Sequence, residues 1–346
     1  MELPILKGRG AQVNPPNRFE SLRIEADAEE IADLVAVQTQ YFLDATKQII
    51  AENDSPDVGF AHSVNPYRGC SHGCIYCYAR PTHEYLGFSA GLDFESKIMV
   101  KKDAADLLRR ELSSAKYQPV PLTFSGVTDC YQPIERKLQL TRSCLRVLAD
   151  FRNPTGIITK SHLITRDIDL LAELARHSAA VALVSITTLN ADLAAKMEPR
   201  AAAPRFRLDA VRQLAAAKIP VGIMMAPIIP GLTDHEIPAV LAAAAEAGAQ
   251  YAGYTALRLP FAVKDLFADW LDRHFPDRKE KVLNRIRSLR GGKLNDPNFG
   301  SRMRGEGVWA DQLRSVFALA KRRARLDNPF PVLSTAAFQK AQLTLW

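Results

Sequence analysis

The sequence predicts an α/β fold whose parallel sheet curls into part of a barrel, and three observations support that class. Short apolar, β-prone segments alternate with amphipathic ones from position 62 to position 257. Strands separated by helices of about 10 to 15 residues pair in parallel through right-handed crossovers. Polar residues gather just past the expected strand ends, where such sheets present their ligand-binding groups.

Residues 1–60 read as an N-terminal extension that wraps the core. Lys7-Gly8-Arg9-Gly10 and Asn14-Pro15-Pro16-Asn17-Arg18 are loop punctuation, followed by an acid-rich stretch from Glu25 to Asp33. The turn-rich run Ala51-Glu52-Asn53-Asp54-Ser55-Pro56-Asp57 leads into a first strand at His62 to Tyr67. Lys102 to Lys116 is helical because Leu107, Leu108 and Leu112 fall at helical spacing. Val120 to Phe124 is a strand and Leu138 to Phe151 a helix; Gly156 to Lys160 is a strand and Ile168 to His177 a helix. Ala180 to Thr187 follows as a strand, with Arg205 to Ala217 helical behind it. A strand from Ile219 to Ala226 stops at Pro227, His235 to Ala247 is helical, and Gln250 to Leu257 is the last of six strands. This core occupies residues 61–275. A basic C-terminal extension, 276–346, holds an exposed loop at Arg290 to Pro297 and an amphipathic helix at Val308 to Arg325.

A chain of 346 residues with 47% apolar content suffices for one large domain with extensions. No apolar run approaches the roughly 20 residues of a membrane span, and the opening residues lack the apolar core of an export signal. Membrane partners are therefore not expected, and the reducing cytoplasm is the expected compartment. The net charge of +7 is concentrated late: from Asp277 to Arg325 there are 14 Lys or Arg against 5 Asp or Glu. Such a surplus suits a polyanion such as nucleic acid, or else a solvated basic helix.

Three of the five cysteines, Cys70, Cys74 and Cys77, lie within eight residues. Three thiolates on one short loop suit an iron–sulfur cube with one iron left open. Zinc is the rival reading, and a closed zinc site would need a fourth ligand from His72, Cys130 or Cys144. A disulfide framework fits poorly with an odd cysteine count.

The pattern Cys70-x3-Cys74-x-Tyr76-Cys77-Tyr78, with an aromatic before the last cysteine, resembles the signature of radical S-adenosylmethionine (SAM) enzymes. The resemblance implies a six-stranded partial (β/α)6 TIM-like barrel, with a [4Fe–4S] cluster ligated by Cys70, Cys74 and Cys77 and SAM chelating the open iron. It further implies reductive cleavage of SAM to a 5'-deoxyadenosyl radical that abstracts a hydrogen atom, with an electron donor such as a flavodoxin or ferredoxin as partner. An iron–sulfur nucleic-acid-binding protein with a structural cluster is the alternative.

Further segments narrow the match: Thr128 to Arg136, Thr159-Lys160-Ser161, Arg166-Asp167 and Met225 to Gly231 resemble the branch related to spore photoproduct lyase. That likeness spans Asn65 to Leu257 and points to a nucleic-acid lesion or base as substrate. It assigns SAM contacts to Thr128, Lys160, Ser185 and Ala226, with Tyr76 near the adenine. Lys160 would set an ammonium against the SAM carboxylate. Tyr78 matches a tyrosine that relays a hydrogen atom. The lyase's donor cysteine corresponds to Gly126 here, which leaves Cys130, four residues on, as the candidate thiol facing the cavity. Asp129 and Glu135 are candidates for supporting roles, against a turn acceptor and a plain Glu135–Arg136 ion pair.

Overall fold

The computed structural model describes residues 6–20 and 37–340, so the acid-rich stretch from Glu25 to Asp33 lies outside the described residues. Six parallel strands form the centre: β1 (His62–Val64), β2 (Leu122–Phe124), β3 (Thr155–Thr159), β4 (Ala180–Ser185), β5 (Val221–Ile228) and β6 (Tyr251–Ala256). They pair in sequence order, and Ile50–Glu52 adds an antiparallel strand outside β1. Along β3 and β4 the register runs from Thr155 opposite Ala180 to Thr159 opposite Val184. The strands are nearly continuous apolar runs, because a parallel sheet with helices packed on it is covered on both faces. β4, for example, reads Ala-Val-Ala-Leu-Val-Ser and is buried at five of six positions.

The main helices are α1 (Ala104–Ser113), α2 (Leu140–Phe151), α3 (Ile168–Ala175), α4 (Pro204–Ala216), α5 (Ile237–Glu246), α6 (Val263–His274), α7 (Lys279–Leu289) and α8 (Val308–Arg323). Leu107, Leu108 and Leu112 are the buried stripe of α1, while Pro204 opens α4 at the position where its missing N–H costs nothing. α2 stops where Arg152 turns left-handed at φ 50°. Leu108, Leu145, Leu171, Val211 and Leu241 pack these helices onto the sheet in the main core. α8 lies beside α5, and its Leu313 and Phe317 join the same core.

Several elements depart from the sequence reading. β1 ends at Val64, and Tyr67–Arg68 turns away to pair antiparallel with Lys97–Val100 in a separate three-stranded sheet completed by Gln40–Leu43. β5 runs through Pro227 to Ile228; a register shift in β6 between Tyr254 and Ala256 absorbs the missing ladder donor. α6 and α7 were not anticipated, and they carry a second core in which Phe267, Trp270, Val282 and Ile286 pack beneath Ile75 and Tyr76 of the cysteine loop.

The loop expected from Arg290 to Pro297 is present and largely exposed, but its first residue anchors it. The Arg290 guanidinium is buried and donates to the carbonyls of Ala256 (3.0 Å), Leu257 (2.9 Å), Ser301 (3.1 Å) and Arg302 (2.7 Å). Beyond it, residues 291–307 form a strap: the Ala256 N–H donates to the Met303 carbonyl, and Arg302 makes a two-pronged ion pair with Asp57 at 2.6 and 2.7 Å. The strap thus runs from the end of β6 to the hairpin before β1, across the open side of the sheet. Among the described residues no helix is long and apolar enough to cross a membrane.

Candidate cluster and cofactor site

The cysteine loop is held from every side by backbone and side-chain bonds. Gly69 and Gly73 take left-handed φ values of 77° and 70°, and a Cβ on Gly73 would stand 2.7 Å from Glu95 Oε2. Arg80, fully buried, donates to the carbonyls of Cys74 (3.0 Å) and Gly73 (3.3 Å) and pairs with buried Glu95. Glu95 in turn accepts the N–H groups of Gly10 (2.9 Å) and Ala11 (2.8 Å), so the N-terminal segment is laid directly on the loop. A Cβ on Gly10 would collide with the Gly73 carbonyl oxygen. From the other side, Gln132 accepts from the Ser71 N–H at 3.0 Å and donates to the Gly69 carbonyl at 3.1 Å. The Arg80–Glu95 charges are paired and hydrogen-bonded throughout, which is what lets two ions sit without water.

This loop fits an iron–sulfur cube. Its three thiols feel one another and are enclosed: burial pushes the Cys77 thiol up, and Cys70 adds to the rise, while Arg80 and Lys160 oppose it. Among the described residues no group of three or more His, Cys, Asp or Glu side chains could hold a single metal ion. A cube asks for one thiolate per iron, and three thiols on one short loop are the donor set it takes. His72, a candidate zinc ligand, instead faces Asp129, with Nδ1 3.3 Å from Oδ2. Cys130 and Cys144 have no exposed surface and belong to the main core.

Beside the loop stands a polar group that the sequence did not reveal. The Tyr76 hydroxyl donates to Glu198, which also accepts from Thr187 at 2.8 Å and pairs with buried Arg207. Burial pushes Glu198 up, but Arg207 and Lys160 outweigh it and bring the carboxyl down to about 2. Lys160, at the end of β3, places its ammonium 5.8 Å from the Tyr76 ring centroid, and that ammonium makes no hydrogen bond or ion pair among the described residues. An unpaired ammonium beside the cysteine loop is available to a carboxylate ligand.

The other expected contacts lie at neighbouring strand ends. The Thr128 hydroxyl donates to the Tyr67 carbonyl at 2.9 Å and keeps its lone pairs for a donor. Ser185 closes β4, with its own carbonyl accepting from Arg207 at 3.2 Å, and Ala226 lies near the end of β5. Asp129 ties strand ends to loop: it accepts from Thr159 Oγ1 and the Lys160 N–H, both at 2.8 Å. Burial pushes Asp129 up, but His72 and these hydrogen bonds lower it to about 2.

Two expectations are corrected. Glu135 does not pair with Arg136; it accepts from Tyr67 (2.6 Å) and Arg166 (2.8 Å) and is part of the buried frame. The Cys130 thiol does not open on the cavity, because the Cys130 N–H and carbonyl are tied to Ser125 (2.9 Å) and Thr141 (2.7 Å) and the side chain turns into the core. Tyr78, by contrast, is 47% exposed and donates to the carbonyl of Gly126 at 2.7 Å. Burial by its surroundings, then Cys77, push its phenol up to about 12. Arg258, just past β6, stacks 5.1 Å over the Tyr78 ring with no hydrogen bond or ion pair among the described residues. Nothing in the local sequence Leu257-Arg258-Leu259 marks it, since only the sheet brings positions 78 and 258 together.

Comparison with known proteins bears on this arrangement. An uncharacterised protein of Mycobacterium tuberculosis is 33% identical over 291 residues, covering 83% of this chain and 82% of the relative. A radical SAM Nalpha-GlyT isomerase of Pseudomonas phage M6 is 26% identical over 174 residues, half of this chain and 34% of that protein. The fold is similar to that of spore photoproduct lyase bound to AdoMet and a dinucleoside spore photoproduct, with a TM-score of 0.57, 15% identity, and coverage of 88% of this chain and 85% of the lyase. Residues 64–244, which contain the three cysteines and the parallel strands β2 to β5, match the radical SAM superfamily. A cube-binding loop at the C-terminal edge of a parallel sheet, matched over more than half its length, makes this chain a member of that superfamily, an enzyme whose cofactors are a [4Fe–4S] cluster and SAM.

Proposed function

We propose that this enzyme abstracts a hydrogen atom from a nucleobase of a nucleic acid. When bound, the cluster supplies the electron that splits SAM into methionine and a 5'-deoxyadenosyl radical, the hydrogen-abstracting species. Cys70, Cys74 and Cys77 would hold the cluster, and Lys160 would face the SAM carboxylate. Thr128 and Ser185 would accept from the SAM amino group, while Tyr76, fixed by Glu198, and Ala226 would border the adenosine. We assign the hydrogen relay to Tyr78 rather than to Cys130. Electrons would come from a flavodoxin- or ferredoxin-type donor in the reducing cytoplasm.

The observation that carries the substrate class is a set of exposed aromatic rings paired with arginines on the N-terminal segment, the turn after the cysteine loop and the segment after β6. Tyr85 is 73% exposed and packs at 4.9 Å against Phe19, which is also exposed. Arg18 lies 5.1 Å from the Phe19 ring and 3.7 Å from that of Phe261, and Arg258 covers Tyr78. Phe261 is exposed although its backbone sits at φ 49°, a left-handed conformation that a bulky residue rarely keeps without reason. Stacked aromatic and guanidinium planes, open to water, are the means by which unpaired bases are gripped.

The test is anaerobic incubation of reduced holoprotein with SAM and ultraviolet-irradiated or unmodified single-stranded oligonucleotides. Nucleic acid should raise 5'-deoxyadenosine release well above the uncoupled rate and yield an altered base. 5'-Deoxyadenosine that no oligonucleotide stimulates would discard the substrate class, and none under any condition would leave only the structural-cluster reading. Lys160→Ala should weaken SAM binding by one to three decades, on the order of 2–4 kcal/mol for a lost charged contact, with iron content unchanged.

A further inference from the structure

β6 and α8 leave between them a groove of about 340 Å3 lined by Tyr254, Phe317, Arg304, Arg314 and Lys321. The charge in it is of one sign. Arg304 and Lys321 make no side-chain hydrogen bond or ion pair among the described residues, and Arg314 touches only the exposed Asp311 at 3.0 Å. The Arg304 guanidinium is pinned 4.0 Å over the Tyr254 ring, which in turn packs on Phe317 at 4.5 Å. Stacking of this kind fixes the plane of the guanidinium and leaves its N–H edge free for a planar or tetrahedral anion.

A second, independent observation points to a ligand. Tyr254 is 5% exposed, and its hydroxyl is buried without a hydrogen-bond partner among the described residues. Leaving such a group unmet costs about 1–3 kcal/mol, and native structures seldom accept that cost without a function. A guanidinium fork and an ammonium around one opening, with the buried Tyr254 hydroxyl beside them, match the several acceptor oxygens of a phosphate group better than a single carboxylate.

Arg302, two residues before Arg304 on the strap, lies 4.5 Å over exposed Phe299, and Arg302 and Arg258 are close enough for the one to lower the other's pKa. Arg258 then covers Tyr78 beside the cysteine loop. Arginines stacked on rings are thus strung from α8 along the strap to Tyr78, with Arg302 itself paired to Asp57.

We propose that this groove binds phosphate groups of a polynucleotide strand and aligns it so that one base reaches the cavity. This rests on the nucleic-acid reading above and deepens it. The experiment is fluorescence anisotropy of the anaerobic holoprotein with a labelled single-stranded oligonucleotide of about twelve nucleotides, a span suited to such a string of stacked arginines, across a salt series. The doubly charge-reversed Arg304→Glu, Lys321→Glu protein should bind about tenfold or more weakly, and its salt slope should fall by about two, one for each lost phosphate contact. Tyr254→Phe, which keeps the packing, should weaken binding severalfold without changing iron content or melting temperature. Inorganic phosphate should compete weakly with the oligonucleotide in the wild type and not in the double variant. Wild-type affinity and slope in the double variant would overturn the groove and leave the reading of the cavity standing. A wild-type protein that binds no oligonucleotide would overturn both, and phosphate binding without oligonucleotide binding would overturn the polynucleotide as occupant.

Discussion

His83 shows how far single residues set the behaviour of the site. It is fully buried behind the cysteine loop, with Nε2 2.9 Å from the Lys97 carbonyl and with Nδ1 unpartnered among the described residues. Burial pulls its pKa from 6.5 down to about 4. The fold therefore favours the neutral ring: the stabilisation is complete above pH 6.5 and is lost as pH falls toward 4, where the unfolded chain has already taken up its proton. Between pH 7 and 5 the wild type should lose on the order of 2 kcal/mol more than His83→Gln, read from denaturant midpoints of the holoprotein. Equal pH dependence in the two proteins would remove His83 as the cause. At this scale the cysteine spacing was legible, because all three thiols belong to one local turn. The group of Tyr76, Glu198 and Arg207 was not, since Tyr76 and Glu198 are 122 residues apart in sequence and meet only through the sheet. The same distance effect misdirected Glu135, whose neighbour in sequence is Arg136 but whose partner in space is Arg166.

The elements were legible where apolar periodicity is long and both ends are punctuated. All six parallel strands begin within two residues of their expected starts, and α1 to α5 lie within their expected spans to within a residue. What escaped was short or set by remote partners: Gln40–Leu43 and Ile50–Glu52 become strands only because other segments offer edges. The N-terminal segment belongs here too. Its loop-like composition hides the fact that Gly10 rests on the Gly73 carbonyl and that Glu95 gathers its N–H groups. Gly10→Ala must push segment and loop apart. Purified anaerobically, that variant should carry less than half the wild-type iron and be less stable by about 1–3 kcal/mol, the usual cost of overpacking, with a lower melting temperature. Full iron loading and unchanged melting would show that the segment is a passive cover.

At the scale of the whole molecule, the strap decides how the open side of the sheet is closed. The Asp57–Arg302 pair is mostly buried and joins positions 245 residues apart, so it is the tie between the two flanks of the cavity. Asp57→Ala should cost about 2 kcal/mol, the worth of hydrogen bonds to a charged group, and should raise amide exchange across residues 291–307 while β3 and β4 stay protected. If exchange rises equally in the central strands, the strap is not an independent unit.

The contact between Gly10 and Glu95 also has a consequence in time. The chain emerges from its N-terminus, so Gly10 is made 85 residues before the carboxylate that receives it. At about 5 to 20 residues per second, the opening segment waits several seconds on the ribosome with nothing to dock on. Until then the cysteine loop lacks this backing, so iron cannot be taken up against it before Glu95 is made, well after Cys77 itself.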